Sequence, residues 1–181
     1  MRLFIGLPLQ EDLRCRLELA WNSALNIPDD CYGIDPKSWH MTIAYLGNVD
    51  ETDQDTLRAL FKTATEKSPT GAFFIHEFRT FPVKHPTHIV AHAAPGNRAV
   101  WKEYILRLCD MLSLVAPSID RRPWIPHISI SRSKKHAVLP EIAEPISEPL
   151  IWTPDRISIV ESKPSQEGAI YTDIYDIPFN I

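Results

Sequence analysis

Apolar residues recur along the chain with two different periods, and the places where the period changes delimit the elements. Arg2 to Leu7 is a short apolar run closed by Pro8, which predicts a first strand. From Glu11 onward Leu13, Leu17, Ala20, Trp21 and Ala24 fall three and four residues apart, the spacing of one face of a helix. Turn formers in "NIPDDCYGIDP" break that pattern, and Ser38 to Leu46 is extended again. Thr52-x-x-Asp55 then resembles a capping box, ahead of Leu57, Leu60, Phe61 and Ala64 on one face of a second helix that "KSPTG" ends.

Two extended segments follow, Ala72 to Phe81 and Thr87 to Ala94. The Pro-bearing "PVKHP" between them suits an antiparallel pair. A third helix is expected from about Asn97 to Val115, with Val100, Trp101, Tyr104, Leu108, Met111 and Leu112 turned inward and Pro117 closing it. Next come "WIPHISISR" as a strand and a Pro- and Glu-rich connector from Leu139 to Pro149, expected to be a mobile loop. Two late strands follow near Trp152 to Glu161 and Ala169 to Ile177. The order is strand, helix, strand, helix, two strands, helix, three strands, which predicts an α+β fold with antiparallel sheets rather than regular βαβ winding.

Composition narrows the function classes more than the fold. With 181 residues the chain suits one domain, and 44% apolar and 23% charged residues are ordinary for a soluble globular protein. A formal net charge of −4 argues against a broad footprint for long nucleic acid but leaves room for a small anionic ligand. The three cysteines, Cys15, Cys31 and Cys109, form neither a disulfide framework nor a zinc knuckle, which fits a reducing cytoplasm. The opening "MRLFIGLPLQEDLR" is too short and too mixed for a signal peptide or a membrane span. Neither G-x-x-x-x-G-K nor G-x-G-x-x-G occurs among only six glycines, which removes the usual triphosphate-loop readings.

The candidate chemistry lies in two matching segments, "WHMTIAYLGNV" and "PHISISRS". His40-Met-Thr42 and His127-Ile-Ser129 are both H-x-[T/S] in apolar surroundings. Residues two apart on a strand share a face, so each segment aims an imidazole and a hydroxyl together while Met41, Ile43, Ile128 and Ile130 turn toward a core. Such a pair suits displacement at phosphorus without a metal: one imidazole takes a proton from the attacking oxygen, the other gives one to the leaving oxygen, and the hydroxyls bind non-bridging oxygens. A single H-x-T on a strand is usually a structural histidine held by hydrogen bonds. A second copy in the same context favours chemistry.

These segments resemble the two signature motifs of the 2H phosphoesterases, specifically the RNA 2′,3′-cyclic phosphodiesterases historically called bacterial 2′-5′ RNA ligases. "MRLFIGLPL" is similar to the family's first strand and "VESKPSQEGAIYTDIYDIPF" to its last hairpin. The resemblance implies a bilobal fold of two antiparallel sheets with flanking helices, related by a pseudo-twofold axis around a central cleft. It implies metal-independent hydrolysis of a terminal 2′,3′-cyclic phosphate of RNA or a nucleotide, generally to a 2′-phosphate, with no cofactor. Carried over by residue, His40 would protonate the 3′-oxygen and His127 activate water, with the roles exchangeable in a pseudo-symmetric site. Thr42, Ser129 and Arg132 would bind the phosphate. Strict alternation puts Arg132 on the opposite face from His127, so its role requires a bulge, a strand end or a curling side chain. A cytoplasmic monomer is expected.

The chain departs from the family at "THIVAHAA", where relatives often carry an arginine and a tryptophan and this sequence has His88 and His92. Four positions apart along one strand face, roughly 13 Å, these two cannot chelate one ion directly, and no metal is expected with His85 either. One of them is a candidate for nucleotide contact. Trp39 and Tyr45 alternate away from His40 and are expected in the core. Trp124 could stack a base or pack, and Arg121 and Arg122 could attract phosphate or lie on the surface. The same scaffold could instead cut a 2′-5′ linkage or ADP-ribose 1″,2″-cyclic phosphate, act as an RNA ligase, or serve as a non-catalytic nucleotide- or RNA-binding module.

Overall fold

The computed structural model describes the chain except residues 25–27, 29, 166–167 and 180–181. Its strands are β1 (Arg2–Pro8), β2 (Cys31–Gly33), β3 (His40–Asn48), β4 (Phe73–Phe81), β5 (His88–Pro95), β6 (His127–Ser133), β7 (Ala143–Trp152), β8 (Arg156–Ser165) and β9 (Gly168–Pro178). Its helices are α1 (Glu11–Ala24), α2 (Gln54–Thr65) and α3 (Arg98–Leu112). The fold is α+β and all strand pairings are antiparallel, as the alternation of periods implied.

The strand order β7-β4-β5-β6-β3-β1-β8-β9 splits at its centre into two four-stranded halves, with β2 added to β6. A single pair, Met41 opposite Ile128, joins β6 to β3, so the two expected sheets are continuous through one narrow seam. The strands carrying the two motifs are therefore neighbours at the middle of the molecule. Their apolar partners Met41, Ile43, Ile128 and Ile130 are at most 3% exposed.

The helices cover the face to which those residues point. Trp21 of α1 meets Phe78 edge-on at 5.1 Å, Trp101 of α3 lies 4.9 Å from Phe73, and Phe61 of α2 reaches Tyr175 at 6.2 Å. Each fully buried Leu, Ile or Phe on this face contributes about 1.5–3 kcal/mol of transfer free energy. The opposite face of the sheet is thereby left for the polar side chains of β3 and β6.

Four local expectations are corrected. The segment expected as a mobile connector is mostly β7, which pairs with β4, and Trp152 ends that strand rather than starting the next. Its prolines read as loop signals, yet at this sheet edge a missing N–H is tolerated. The Thr52/Asp55 capping box does not form, because a 3-10 turn over Glu51–Asp53 runs directly into α2 with no side-chain cap. Helix α3, capped by Asn97 accepting from the Val100 N–H, ends at Leu112 rather than Val115, and Val100 is 44% exposed rather than inward. Tyr45 is not in the core, for the reason that follows.

Candidate active site

Both motif strands carry a bulge three residues after the histidine. Along β3 the partners step from Gly6↔Thr42 to Ile5↔Ala44, so Ile43 is the extra residue. Along β6 they step from Val90↔Ser129 to Ile89↔Ser131, so Ile130 is the extra residue. Each bulge places two consecutive residues on the buried side, Ile43-Ala44 and Ile130-Ser131, and inverts the alternation beyond them. Tyr45 therefore returns to the face of His40 and Thr42, and Arg132 to the face of His127 and Ser129. The bulge that a phosphate-facing Arg132 required is present, and the same device overturns the core placement of Tyr45.

The antiparallel register through Met41 and Ile128 sets His40 across from Ser129 and Thr42 across from His127. Each imidazole thus faces the hydroxyl of the other motif, in a crossed quartet. Each histidine is held in the same way. His40 Nδ1 lies 2.8 Å from the Ser38 carbonyl and His127 Nδ1 lies 2.7 Å from the Ile125 carbonyl, so Nδ1–H donates to the residue two back and Nε2 is left as the reactive nitrogen. Each ring also lies on a phenylalanine in near-identical geometry: Phe4 to His40 at 4.7 Å and 31°, Phe81 to His127 at 4.6 Å and 32°.

A cleft of about 270 Å³ opens on this face, lined among others by His40, Thr42, Ser129, Arg132, Tyr45 and Arg2. His127 is not among its lining residues; it continues the same face beyond Ser129, against Phe81. Arg132 donates from Nη2 to the Tyr171 hydroxyl at 3.2 Å, while its buried Nε–H has no hydrogen-bond partner among the described residues. Tyr171 also meets the His40 ring edge-on at 4.8 Å. Arg2 donates to the Tyr45 hydroxyl and sits over the same ring, its guanidinium carbon 5.2 Å from the centroid. The acidic chain thus gathers two guanidinium groups at this cleft.

Burial is the main cause of the imidazole shifts. It pushes His40 down from 6.5 to about 4 against the opposing effect of the Ser38 carbonyl, with Arg132 and His127 adding smaller repulsions. Burial pushes His127 down as well, the Ile125 carbonyl opposes this, and Arg79 adds to the depression. Both imidazoles are therefore neutral in the free protein near pH 7.

The remaining candidates separate clearly. Trp39 is core, 4% exposed, with Nε1–H donating to the Ile34 carbonyl at 3.0 Å. Trp124 packs between Trp101 and Phe73 and donates to the Thr42 carbonyl at 2.9 Å, so packing describes it. Arg121 and Arg122 pair with Asp110 and Asp120 at 2.6 and 2.5 Å, outside the cleft. His88 lies opposite Arg132, and His92 lies opposite His127. Tyr171 and Arg2 carried no signal in the sequence. Tyr45 did, because the apolar doublet Ile43-Ala44 breaks the two-residue period just before it.

A central pair of antiparallel strands, each presenting H-x-[T/S] on one face of the sheet, defines the class of fold and site. The sequence model of the 2′-5′ RNA ligase superfamily matches residues 31–165, and the chain belongs to that superfamily, the 2H phosphoesterases. It is similar to an RNA 2′,3′-cyclic phosphodiesterase of Thermotoga maritima, at 23% identity over 184 residues that cover 99% of this chain and 96% of the relative. Among solved structures, TT0787 of Thermus thermophilus superposes with a TM-score of 0.79 at 21% identity, covering 98% of this chain and 97% of that one. LigT of E. coli complexed with NADP+ gives a TM-score of 0.75 at 16% identity, covering 99% and 98%.

Proposed function

We propose that the protein is a phosphodiesterase that hydrolyses 2′,3′-cyclic phosphate ends of RNA or nucleotides to a 2′-phosphate by paired-histidine acid/base catalysis. The observation that carries this reading is the crossed quartet, in which two imidazoles with Nδ1 tied to backbone carbonyls face two hydroxyls across one seam. Structural histidines would not require the same tautomer, the same phenylalanine support and the same hydroxyl neighbour twice. The superfamily match and the name of the Thermotoga maritima relative support the substrate class.

In the proposed reaction His127 Nε2 takes a proton from water as the water oxygen attacks phosphorus. The bond from phosphorus to the 3′-oxygen breaks, and His40 Nε2 gives that oxygen its proton. One water is consumed, and the products are a 2′-phosphate and a 3′-hydroxyl. Thr42 and Ser129 hydrogen-bond the non-bridging oxygens, and Arg132 meets the developing charge with the Nε–H that lacks a partner. Since burial holds His40 neutral in the free protein, it takes up its proton from solvent as the anionic substrate binds, whose charge raises the imidazole pKa. The proton moves are complete without a metal ion.

The test is hydrolysis of an oligonucleotide ending in a 2′,3′-cyclic phosphate, in excess EDTA, with 2′- and 3′-phosphate products resolved. Turnover to the 2′-phosphate supports the reading. Binding without cleavage would replace it with a nucleotide-binding module, and cleavage of a 2′-5′ linkage but not of the cyclic end would move the scissile bond.

A further inference from the structure

On the cleft side of the half-sheet that carries β6, another bulge gathers residues the proposed chemistry does not use. Along β4 the pairing with β5 steps from Ile75↔Ala93 to Glu77↔His92, so His76 is the extra residue. As in the motif strands, the bulge puts two consecutive side chains on one face, here His76 and Glu77, both partly exposed between the buried Ile75 and Phe78. Across the ladder His92 stands opposite Glu77 and, on its other side, opposite His127.

Three ligand-type atoms converge there. His92 Nδ1 lies 3.4 Å from His76 Nε2 and 3.5 Å from Glu77 Oε1, and His76 Nε2 lies 3.9 Å from the same oxygen. These separations are long for strong hydrogen bonds. They approach the spacing of about 3.3–3.5 Å between ligands that each sit roughly 2.0–2.1 Å from a tetrahedral zinc ion. His76 Nδ1 lies 3.3 Å from the Phe74 carbonyl, an outer hydrogen bond that fixes the tautomer and leaves Nε2 with its lone pair toward the cluster. The three side chains are 20–39% exposed, which leaves the open side accessible.

We propose that His76, Glu77 and His92 bind one divalent transition ion of the zinc class through two imidazole nitrogens and one carboxylate oxygen, with a further position open to water or an anion. The sequence alone led to the expectation of no metal site, weighed at His85, His88 and His92 and argued from the separation of His88 and His92 along one strand. The site instead takes His92 together with two residues of the neighbouring strand, a cross-strand grouping that no sequence spacing displays. Arg79 is the built-in competitor: its Nη1 lies 3.4 Å from Glu77 Oε1, so an ion must share or displace that contact. The ion takes no step in the proposed hydrolysis, and the inference stands independently of that reading.

The experiment is titration of Co²⁺, then Zn²⁺, into the full chain freed of metal, followed by calorimetry and by the visible absorption of the cobalt form. One ion per chain is expected, with cobalt bands of tetrahedral or five-coordinate strength. His76→Ala should weaken affinity by about 100-fold or more, since even outer-shell losses cost 10–100-fold. Glu77→Gln should weaken it less, and Arg79→Met should tighten it. Zinc should also raise the melting temperature of the wild type but not of His76→Ala, whose unchanged melt without metal would show that it folds. No saturable binding below about 1 mM overturns the proposal, and so does affinity that His76→Ala leaves unchanged or that Arg79→Met reduces.

Discussion

The two halves of the sheet present the same histidine–hydroxyl unit in different surroundings. In both, an imidazole donates from Nδ1 to the carbonyl two residues back, lies on a phenylalanine at almost the same distance and tilt, and is followed by a hydroxyl and a bulge. Around His40 the site is enclosed by Tyr171, Tyr45 and Arg2, and burial depresses that imidazole to about 4. Around His127 the neighbours are Phe81, His92 and the more distant Arg79. Beyond the bulges the equivalent positions hold Tyr45 on one side and Arg132 on the other. In the proposed reaction the symmetric part would move the protons, and the asymmetric part would set which way round the substrate lies.

The largest expected effect removes the symmetric part. His40→Ala and His127→Ala should each lower kcat by about 10²–10⁴-fold on a cyclic-phosphate end, measured in single-turnover assays. A variant that keeps wild-type turnover would take its histidine out of the pair. The next effect comes from the unequal positions: Arg132→Met should cost about 10²-fold in kcat/KM, the scale of one lost transition-state donor, whereas Tyr45→Phe should cost much less. Equal losses would mean that the two halves bind phosphate alike. Smaller still, Thr42→Ala and Ser129→Ala should each lose roughly tenfold, about one hydrogen bond, without abolishing turnover; an unchanged rate for Ser129→Ala would remove that hydroxyl from the site. At the low end, Trp124→Phe deletes the bond to the Thr42 carbonyl and should lower stability by about 1 kcal/mol in denaturant melts.

The split between symmetric and asymmetric parts is also the split between what the sequence displays and what it conceals. The H-x-[T/S] motifs, the first strand, all three helices and the antiparallel class were legible because each depends on local period. The crossed quartet follows from one long-range pair, Met41 with Ile128, which no local pattern specifies. Tyr45 was misplaced because strict alternation was applied through Ile43-Ala44, where burying two neighbours in a row forces a bulge. The same reasoning, applied to Arg132, had named a bulge as the condition for its role. Strand β7 was hidden by its prolines, which an edge tolerates, and Tyr171 by its position on the last hairpin, whose return to His40 is a tertiary fact. The cluster of His76, Glu77 and His92 was invisible for the same reason, since its members come from two strands.

The central claim, one imidazole from each half, is tested most directly by kcat/KM against pH for the wild type and the two alanine variants. Both histidines are depressed in the free protein, so the wild-type curve should be bell-shaped with its maximum below pH 6.5, the ordinary histidine value. The acid, His40, must carry a proton, so His40→Ala should lose the alkaline limb and rise to a plateau. The base, His127, must be neutral, so His127→Ala should lose the acidic limb and fall as pH rises. A wild-type profile that is flat from about pH 5 to 9, or two variants that both keep the full bell, would contradict the paired-histidine account.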